Sequence, residues 1–348
     1  MKKILSIALV LVLLAVSLGG CWQDIGAMIG GMGKDFIDGL KDGFENGATY
    51  PTLPDIDLDD FNSLLPTTTK KPSQGQTQPT ITPIEIPEGS EFQVHYIDVG
   101  QADSILILCD DDAMLIDGGN DADGDTVIAY LTSVGVTELD LVVASHCHED
   151  HLGGLDKVVS AFPVDEVWYP DYRHGSVNEE MFLEAVEKQG ITPFQPDPGT
   201  TYTLGSAICQ VVGPVTNEVE DPNDTSIVIK VVYGETSFLF TGDAELAEET
   251  SILDAGYDIS CDVLKVGHHG AYTSTNYRWL KEAAPTYAVI SVGADNSYGH
   301  PTEGTLSRLS DAEVTVYRTD LQGHIVCVSD GTNITFVVQN NPDMVPAP

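Results

Sequence analysis

The 348-residue chain carries 54 Asp and Glu against 15 Lys and Arg, a formal net charge of −39, with 42% hydrophobic side chains. That hydrophobic content suffices for a sizeable core in one large domain or two ordinary ones. The acidic excess repels polyanions over much of the surface and excludes a general nucleic-acid-coating role, although a local metal-filled or cationic cleft could still accept a phosphate.

Lys2 and Lys3 precede an apolar run from Ile4 to Leu18, followed by Gly19 and Gly20. This reads as an export signal over residues 1–20, too short for a membrane span. Leu18-Gly19-Gly20-Cys21 resembles the bacterial lipobox, which implies a lipid on the Cys21 thiol and anchorage at the outer side of the cell membrane. Residues 22–47 have a nearly helical apolar period (Ile25, Ile29, Met32, Phe36, Leu40, Phe44) that seven glycines interrupt. Each glycine costs a helix about 1 kcal/mol relative to alanine, so a spacer is expected there. Residues 50–90 are rich in Pro and Thr and read as an extended linker, completing a 21–90 segment without a packed core. Setting Cys21 aside leaves Cys109, Cys147, Cys209, Cys261 and Cys327, an odd count without the spacing of a disulfide framework.

A globular domain is expected over residues 91–340, with 341–348 as a tail. Strand-like runs appear in order as FQVHYIDV, SILIL, AMLID, DLVVAS, DEVWYP, SIVIKVVY, SFLFTGD, DVLKVG, YAVISV, VTVYR and HIVCVS. Helix-period segments fall at 125–134, 178–189, 244–255, 275–283 and 302–310. Strands that come first in runs and then alternate with helices predict two sheets with helices outside them.

The densest chemical signal is Ser145-His146-Cys147-His148-Glu149-Asp150-His151, directly after the buried-strand run DLVVA. Four potential ligands within six residues at a strand end can converge on one or two small cations. Imidazole and carboxylate suit zinc, manganese or iron. Two further pieces also sit at strand ends: Asp243 after Phe238-Leu239-Phe240-Thr241-Gly242, and His268-His269 after Val263-Leu264-Lys265-Val266-Gly267. Alone, Asp243 would more often cap a helix and His268 would more often be a satisfied histidine. Beside the first motif they are not independent accidents.

These motifs resemble those of the metallo-β-lactamase-fold superfamily. The closer resemblance is to the hydrolase domain of ComEC-type DNA-uptake proteins and their stand-alone relatives. Asp98–Asp103, Asp117-Gly118-Gly119, His146–Gly154, Asn223–Ser226, Thr241-Gly242-Asp243, Asp262–Gly270 and Tyr298-Gly299-His300-Pro301 carry it. The resemblance implies a four-layer αββα sandwich with metal at the edge where strand-end loops meet. It implies His146 and His148 at a first metal position, Asp150, His151 and His268 at a second, and Asp243 bridging them. Zinc is the expected cation, one ion held tightly with room for a second, and manganese or iron as alternatives. Asp98 and Asp117 would order the loops. Asp150 would orient a water, His300 would face the metals and the leaving group, and His269 is an alternative ligand or proton-transfer group. His95, His174 and His324 are left structural, and Cys147 is expected to point away from the ligands.

One departure from the superfamily pattern concerns the first position. Residues 175–267 contain no histidine, so the usual third-motif ligand is missing, with Asn223 or Asp224 in its neighbourhood. The expected activity is metal-dependent hydrolysis of a small phosphodiester or related ester outside the cell membrane. The alternatives are a β-lactam or lactone hydrolase and an inactive metal- or ligand-binding module. No long nucleic acid is expected as partner, because a DNA-tracking groove needs Lys and Arg. Near the motifs only Lys265, Arg278 and Lys281 offer charge.

Overall fold

A computed structural model describes residues 91–216 and 219–341, together with Ile84, Ile86 and Gly89. The expected signal peptide, lipidated Cys21 and most of the linker and tail lie outside the described residues. The first five strands, β1 (Phe92–Tyr96), β2 (Ile105–Cys109), β3 (Asp112–Ile116), β4 (Leu139–Val143) and β5 (Val164–Trp168), belong to one sheet. The second sheet holds β6 (Thr201–Leu204), β7 (Ala207–Gly213), β8 (Val228–Tyr233), β9 (Thr236–Phe240), β10 (Val263–Lys265), β11 (Tyr287–Ile290) and β12 (Thr315–Arg318). The chain then returns to the first sheet through β13 (Ile325–Ser329) and β14 (Ile334–Val338), giving the orders β14-β13-β1-β2-β3-β4-β5 and β12-β11-β10-β9-β8-β7-β6.

Strand alternation sorts the apolar side chains into three layers of core. Phe92, Val94 and Tyr96 of β1 and Ile105, Ile107 and Cys109 of β2 face the second sheet, where Val231, Phe238 and Phe240 meet them. Phe92 packs between Tyr233 and Phe238, with ring centroids 4.9 and 5.0 Å away. Burying a side chain of that size contributes about 1.5–3 kcal/mol. On the far side of the first sheet lie helices α1 (Gly124–Ser133), α2 (Glu149–Leu152), α3 (Leu155–Ala161) and α4 (Val177–Lys188). Of these, α1, α3 and α4 bury Leu131, Val158 and Phe182 against Leu106, Leu115 and Val142. On the far side of the second sheet, α5 (Leu246–Ala255), α6 (Tyr277–Ala283) and α7 (Glu303–Asp311) bury Ile252, Trp279 and Leu309 against Leu239, Leu264 and Ala288. A short α8 (Thr319–Gln322) follows β12. The result is the expected αββα sandwich.

Local chemistry explains the helix starts. The side chains of Ser176, Asn276 and Thr302 accept hydrogen bonds from the first backbone N–H groups of α4, α6 and α7. Among the described residues, Cys109, Cys147, Cys209, Cys261 and Cys327 are buried and free, so packing rather than cross-linking holds the domain.

Strand direction then places the site. β3 and β4 run parallel, as do β9, β10 and β11. The loops that leave their carboxyl ends all emerge at one edge of the sandwich, and every expected ligand lies on one of them. The two sheets are tied there by Ile227 N donating to Ser145 O at 2.9 Å.

Candidate metal centre

The loop after β4 folds into the single turn of α2, so His148 at its N-cap and Asp150 and His151 within it project from one tight coil. Its neighbours in sequence order clamp it. Asp103 N donates to Asp150 O at 3.0 Å, Gly118 N to His151 O at 2.6 Å, and Gly154 N to Gly119 O at 3.1 Å. The segments DVGQAD, DGG and HCHEDHLGG thus hold one another by backbone bonds. Gly154 is required by contact: a Cβ there would lie 2.2 Å from Gly118 O.

On the opposite wall, register does the positioning. β10 pairs with β9 so that Lys265 lies beside Phe240. Asp243 and His268 each follow three residues later, at the same level of the sheet edge. Asp243 is buried, and its carboxylate is the common neighbour of four imidazoles. His151 Nε2 lies 3.2 Å from Oδ1, while His268, His269 and His146 Nε2 lie 3.6, 3.8 and 3.9 Å from Oδ2. His269 Nε2 also reaches Asp150 Oδ2 at 3.2 Å. Donor atoms of Asp150, His151, Asp243 and His269 all fall within 4.8 Å of one another.

These residues fit a divalent cation. His151 Nε2 and Asp243 Oδ1 are buried and near each other, yet neither makes a hydrogen bond. Buried polar atoms are normally paired, and two lone pairs aimed past each other are what a shared cation would satisfy. The far nitrogen of each imidazole is tied. His151 Nδ1 donates to Asp117 Oδ2 at 2.8 Å, and His269 Nδ1 to Ser291 O at 3.0 Å. Ser145 Oγ donates to Asp117 Oδ2 at 2.8 Å and lies 3.1 Å from His146 Nδ1. Such ties fix the ring and leave Nε2 facing inward.

The electrostatics favour positive charge at this point. Burial opposes protonation of His269, but Asp243 and Asp103 outweigh it and raise its pKa to about 10. Burial likewise opposes charge on His151, and Asp243, Asp117 and Asp150 reverse the sign to a raised pKa. Asp243 is buried too, yet His151 and His269 hold its pKa well below the usual carboxylate value. Carboxylates that force protons onto buried imidazoles would stabilise a cation equally well.

Not every expected residue sits as the sequence suggested. His269, expected as an alternative ligand or proton-transfer group, joins Asp150, His151 and Asp243. His268, expected at the second position, falls outside that group, with Nε2 3.6 Å from Asp243 Oδ2 and Nδ1 donating to Glu245 Oε1 at 2.9 Å. Asp117 touches His151, and Asp98 Oδ1 accepts from Gly100 N at 3.2 Å while its backbone N–H donates to His324 Nδ1 at 2.9 Å, so both order their loops. Asp224 accepts from Glu245 N and Glu248 N and so caps α5 from outside the helix. It is not turned to the first metal position. Cys147 is buried, its thiol pushed up to about 12 by burial. His300 stacks on exposed Tyr298 at 5.7 Å and stands 5.6 Å from the His268 ring. Burial, then His268 and His269, lower its pKa, which keeps the imidazole neutral.

Several residues had no assigned role in the sequence reading. Lys265 Nζ lies 2.7 Å from Asp103 Oδ2 with both side chains buried, and Asp103 Oδ1 lies 3.3 Å from His269 Nδ1. This ion pair backs the ligand histidine. Asp103 was visible within DVGQAD, but nothing local in the sequence links it to Lys265. His174 lines a cavity of about 320 Å³ beside His148, with Glu149, Ser176 and Asn178. Its position in a loop with no neighbouring motif gave no signal.

Comparison with known proteins agrees with this geometry. The chain is 29% identical over 254 residues to ComE operon protein 3 of Bacillus subtilis, covering 68% of this chain and 33% of that protein. It is 31% identical over 243 residues to competence protein ComA of Neisseria gonorrhoeae, covering 69% and 33%. It is 30% identical over 239 residues to recombination protein 2 of Haemophilus influenzae, covering 67% and 28%. The chain therefore spans about a third of the length of these relatives. Residues 97–294 match the family described as the metallo-beta-lactamase superfamily. With an αββα sandwich and a His/Asp metal site at its strand-end edge, the chain belongs to the metallo-beta-lactamase superfamily.

Proposed function

We propose that this protein hydrolyses a small phosphodiester or related ester at the outer side of the cell membrane. The observation that carries hydrolysis is the buried group Asp150, His151, Asp243 and His269, with unpaired inward-facing atoms. A divalent cation bound there would lower the pKa of a water and polarise an ester oxygen. The chain's own residues would do the rest. Asp150 is the group's most exposed side chain, at 32%, and its carboxylate can accept a proton from an incoming water. The neutral His300 imidazole, 5.6 Å from the His268 ring, can hydrogen-bond the leaving oxygen. The cavity beside His148 has room for a small substituent rather than a duplex.

Charge supports a small substrate. Of the cations near the motifs, Lys265 is buried against Asp103, Arg278 is paired with Asp254 at 2.7 Å, and Lys281 is 3.8 Å from Glu282. None is free to follow a phosphate backbone, as counterion displacement on long DNA requires. The similarity to the competence proteins and the paired His268-His269 favour a phosphoester over a β-lactam. Anchorage rests on Leu18-Gly19-Gly20-Cys21 and is tested by fatty-acid-analogue labelling, which Cys21→Ser should abolish.

The purified protein, supplied with zinc or manganese, is to be assayed on a chromogenic bis-aryl phosphodiester, a chromogenic cephalosporin and plasmid DNA. Phosphodiester turnover lost in His148→Ala and Asp243→Ala is expected. Preferential cephalosporin cleavage would overturn the substrate class, and processive plasmid degradation would overturn the charge argument.

A further inference from the structure

We propose that His268 completes a first metal position with His146, His148 and Asp243, standing in for the histidine missing from residues 175–267. The inference rests on the metal-dependent reading of the same site and assigns its ligands between two positions. Asp150, His151 and His269 then serve the second position, with Asp243 shared.

Three distances carry it. His146 Nε2 is 3.0 Å from His148 Nδ1. The same His146 Nε2 is 3.9 Å from Asp243 Oδ2, and His268 Nε2 is 3.6 Å from that oxygen. The last two separations are too long for a hydrogen bond. They are near the spacing of neighbouring ligands on one tetrahedral zinc, roughly 3.3 Å for metal–ligand bonds of about 2.0–2.1 Å.

The backbone explains how two successive residues can flank one carboxylate. In an extended strand, successive side chains point to opposite faces. His268 and His269 instead both adopt left-handed conformations, with φ of 49° and 52°. Such conformations are unfavourable for non-glycine residues and persist where the surroundings over-determine them. The result is that both Nε2 atoms approach Asp243 Oδ2, at 3.6 and 3.8 Å, from rings whose centroids are 6.2 Å apart.

His268 is also equipped as a ligand. Its Nδ1 donates to Glu245 Oε1, which also accepts from Thr273 Oγ1 at 2.5 Å. This is the same second tie that Asp117 supplies to His151 and Ser291 O supplies to His269. An ion pair with Glu245 alone would not require the Nε2 edge to face Asp243. Of the two residues near the missing histidine, Asp224 is occupied in capping α5, and Asn223, buried with its Oδ1 unpaired, is the competing candidate.

The test uses the purified full-length protein stripped of metal and titrated with cobalt(II) alone, followed by absorption and by elemental analysis after dialysis. The expected wild-type result is two ions per chain. His268→Ala should hold one ion, and His269→Ala should hold one ion with a different absorption spectrum, because each lacks a different position. Glu245→Gln, which leaves His268 in place, should weaken the first position about 10–100-fold and leave the second unchanged. Two ions bound with wild-type affinity by His268→Ala would overturn the assignment. So would loss of the same ion from both histidine variants, or loss of the first ion from Asn223→Ala with His268→Ala unaffected. The readout is independent of turnover. An inactive protein that shows the expected pattern upholds the ligand assignment while the hydrolase reading fails.

Discussion

His146, His148, Asp150 and His151 come from one loop with ordinary backbone angles, whereas Asp243 and the His268-His269 pair come from two strand ends and need a left-handed backbone. The first wall is local. One turn of α2 sets the spacing of its ligands, and Gly118, Gly119 and Gly154 let neighbouring loops close on it. The second wall exists only through β9–β10 register and the strain at two consecutive histidines. A centre can therefore draw half its ligands from chain-local geometry and half from tertiary packing. The two halves should respond differently to substitution.

The largest effect is expected at the residue shared by both walls. Asp243→Ala should empty the centre by elemental analysis and reduce turnover on any accepted substrate by at least about 10³-fold, or roughly 4 kcal/mol. Retention of a full metal complement would show that the two walls do not meet at Asp243. Next comes the local wall's packing. Gly154→Ala would put a Cβ 2.2 Å from Gly118 O and 2.9 Å from Gly124 N, both backbone atoms that cannot swing aside. A loss of about 4 kcal/mol or more in denaturant unfolding is expected, at the exceptional end for a single substitution. A loss below about 1 kcal/mol would mean that the loop is less rigid than its hydrogen bonds imply.

A smaller effect is expected from the tie behind the local wall. Asp117→Asn keeps the shape but weakens the hold on His151 Nδ1 and Ser145, so metal affinity should fall about 10–100-fold in competition with a chelator. An unchanged affinity would mean that α2 alone orients His151.

The smallest concerns His324, remote from the metal. Burial lowers its pKa to about 4 from 6.5. Between those values the unfolded chain binds more protons, so stability falls as pH drops from 6.5 towards 4. His324→Asn can keep an acceptor for Asp98 N and should flatten that part of the acid limb by about 1–3 kcal/mol, at 1.36 kcal/mol per pKa unit. An acid limb identical to wild type in thermal melts would reject His324 as a contributor. His95, lowered to about 3 by burial and by His324, remains to acidify the rest.

Periodicity exposed most of the elements that have one buried face. The expected helical segments 125–134, 178–189, 244–255, 275–283 and 302–310 overlap α1, α4, α5, α6 and α7, and the eleven apolar runs became strands. The sequence reading did not include β6, β7 and β14. In β6 only Leu204 is buried, and β14 has no fully buried side chain, so these edge strands carry a weak apolar signal. In β7, exposed Ile208 breaks the alternation.

Chain-local information was enough for the layered fold, the His146–His151 cluster and the presence of a carboxylate and a histidine pair at strand ends. The placement of His269 beside Asp150, His151 and Asp243, the Asp103–Lys265 pair behind it, and the use of Asp224 as a helix cap were decided by tertiary structure. Each depends on atoms from segments tens of residues apart meeting at distances set by sheet register and by two left-handed residues. Neither composition nor periodicity encodes those distances, because a pattern of side-chain types specifies which face is buried but not which atom of that face is turned to its neighbour.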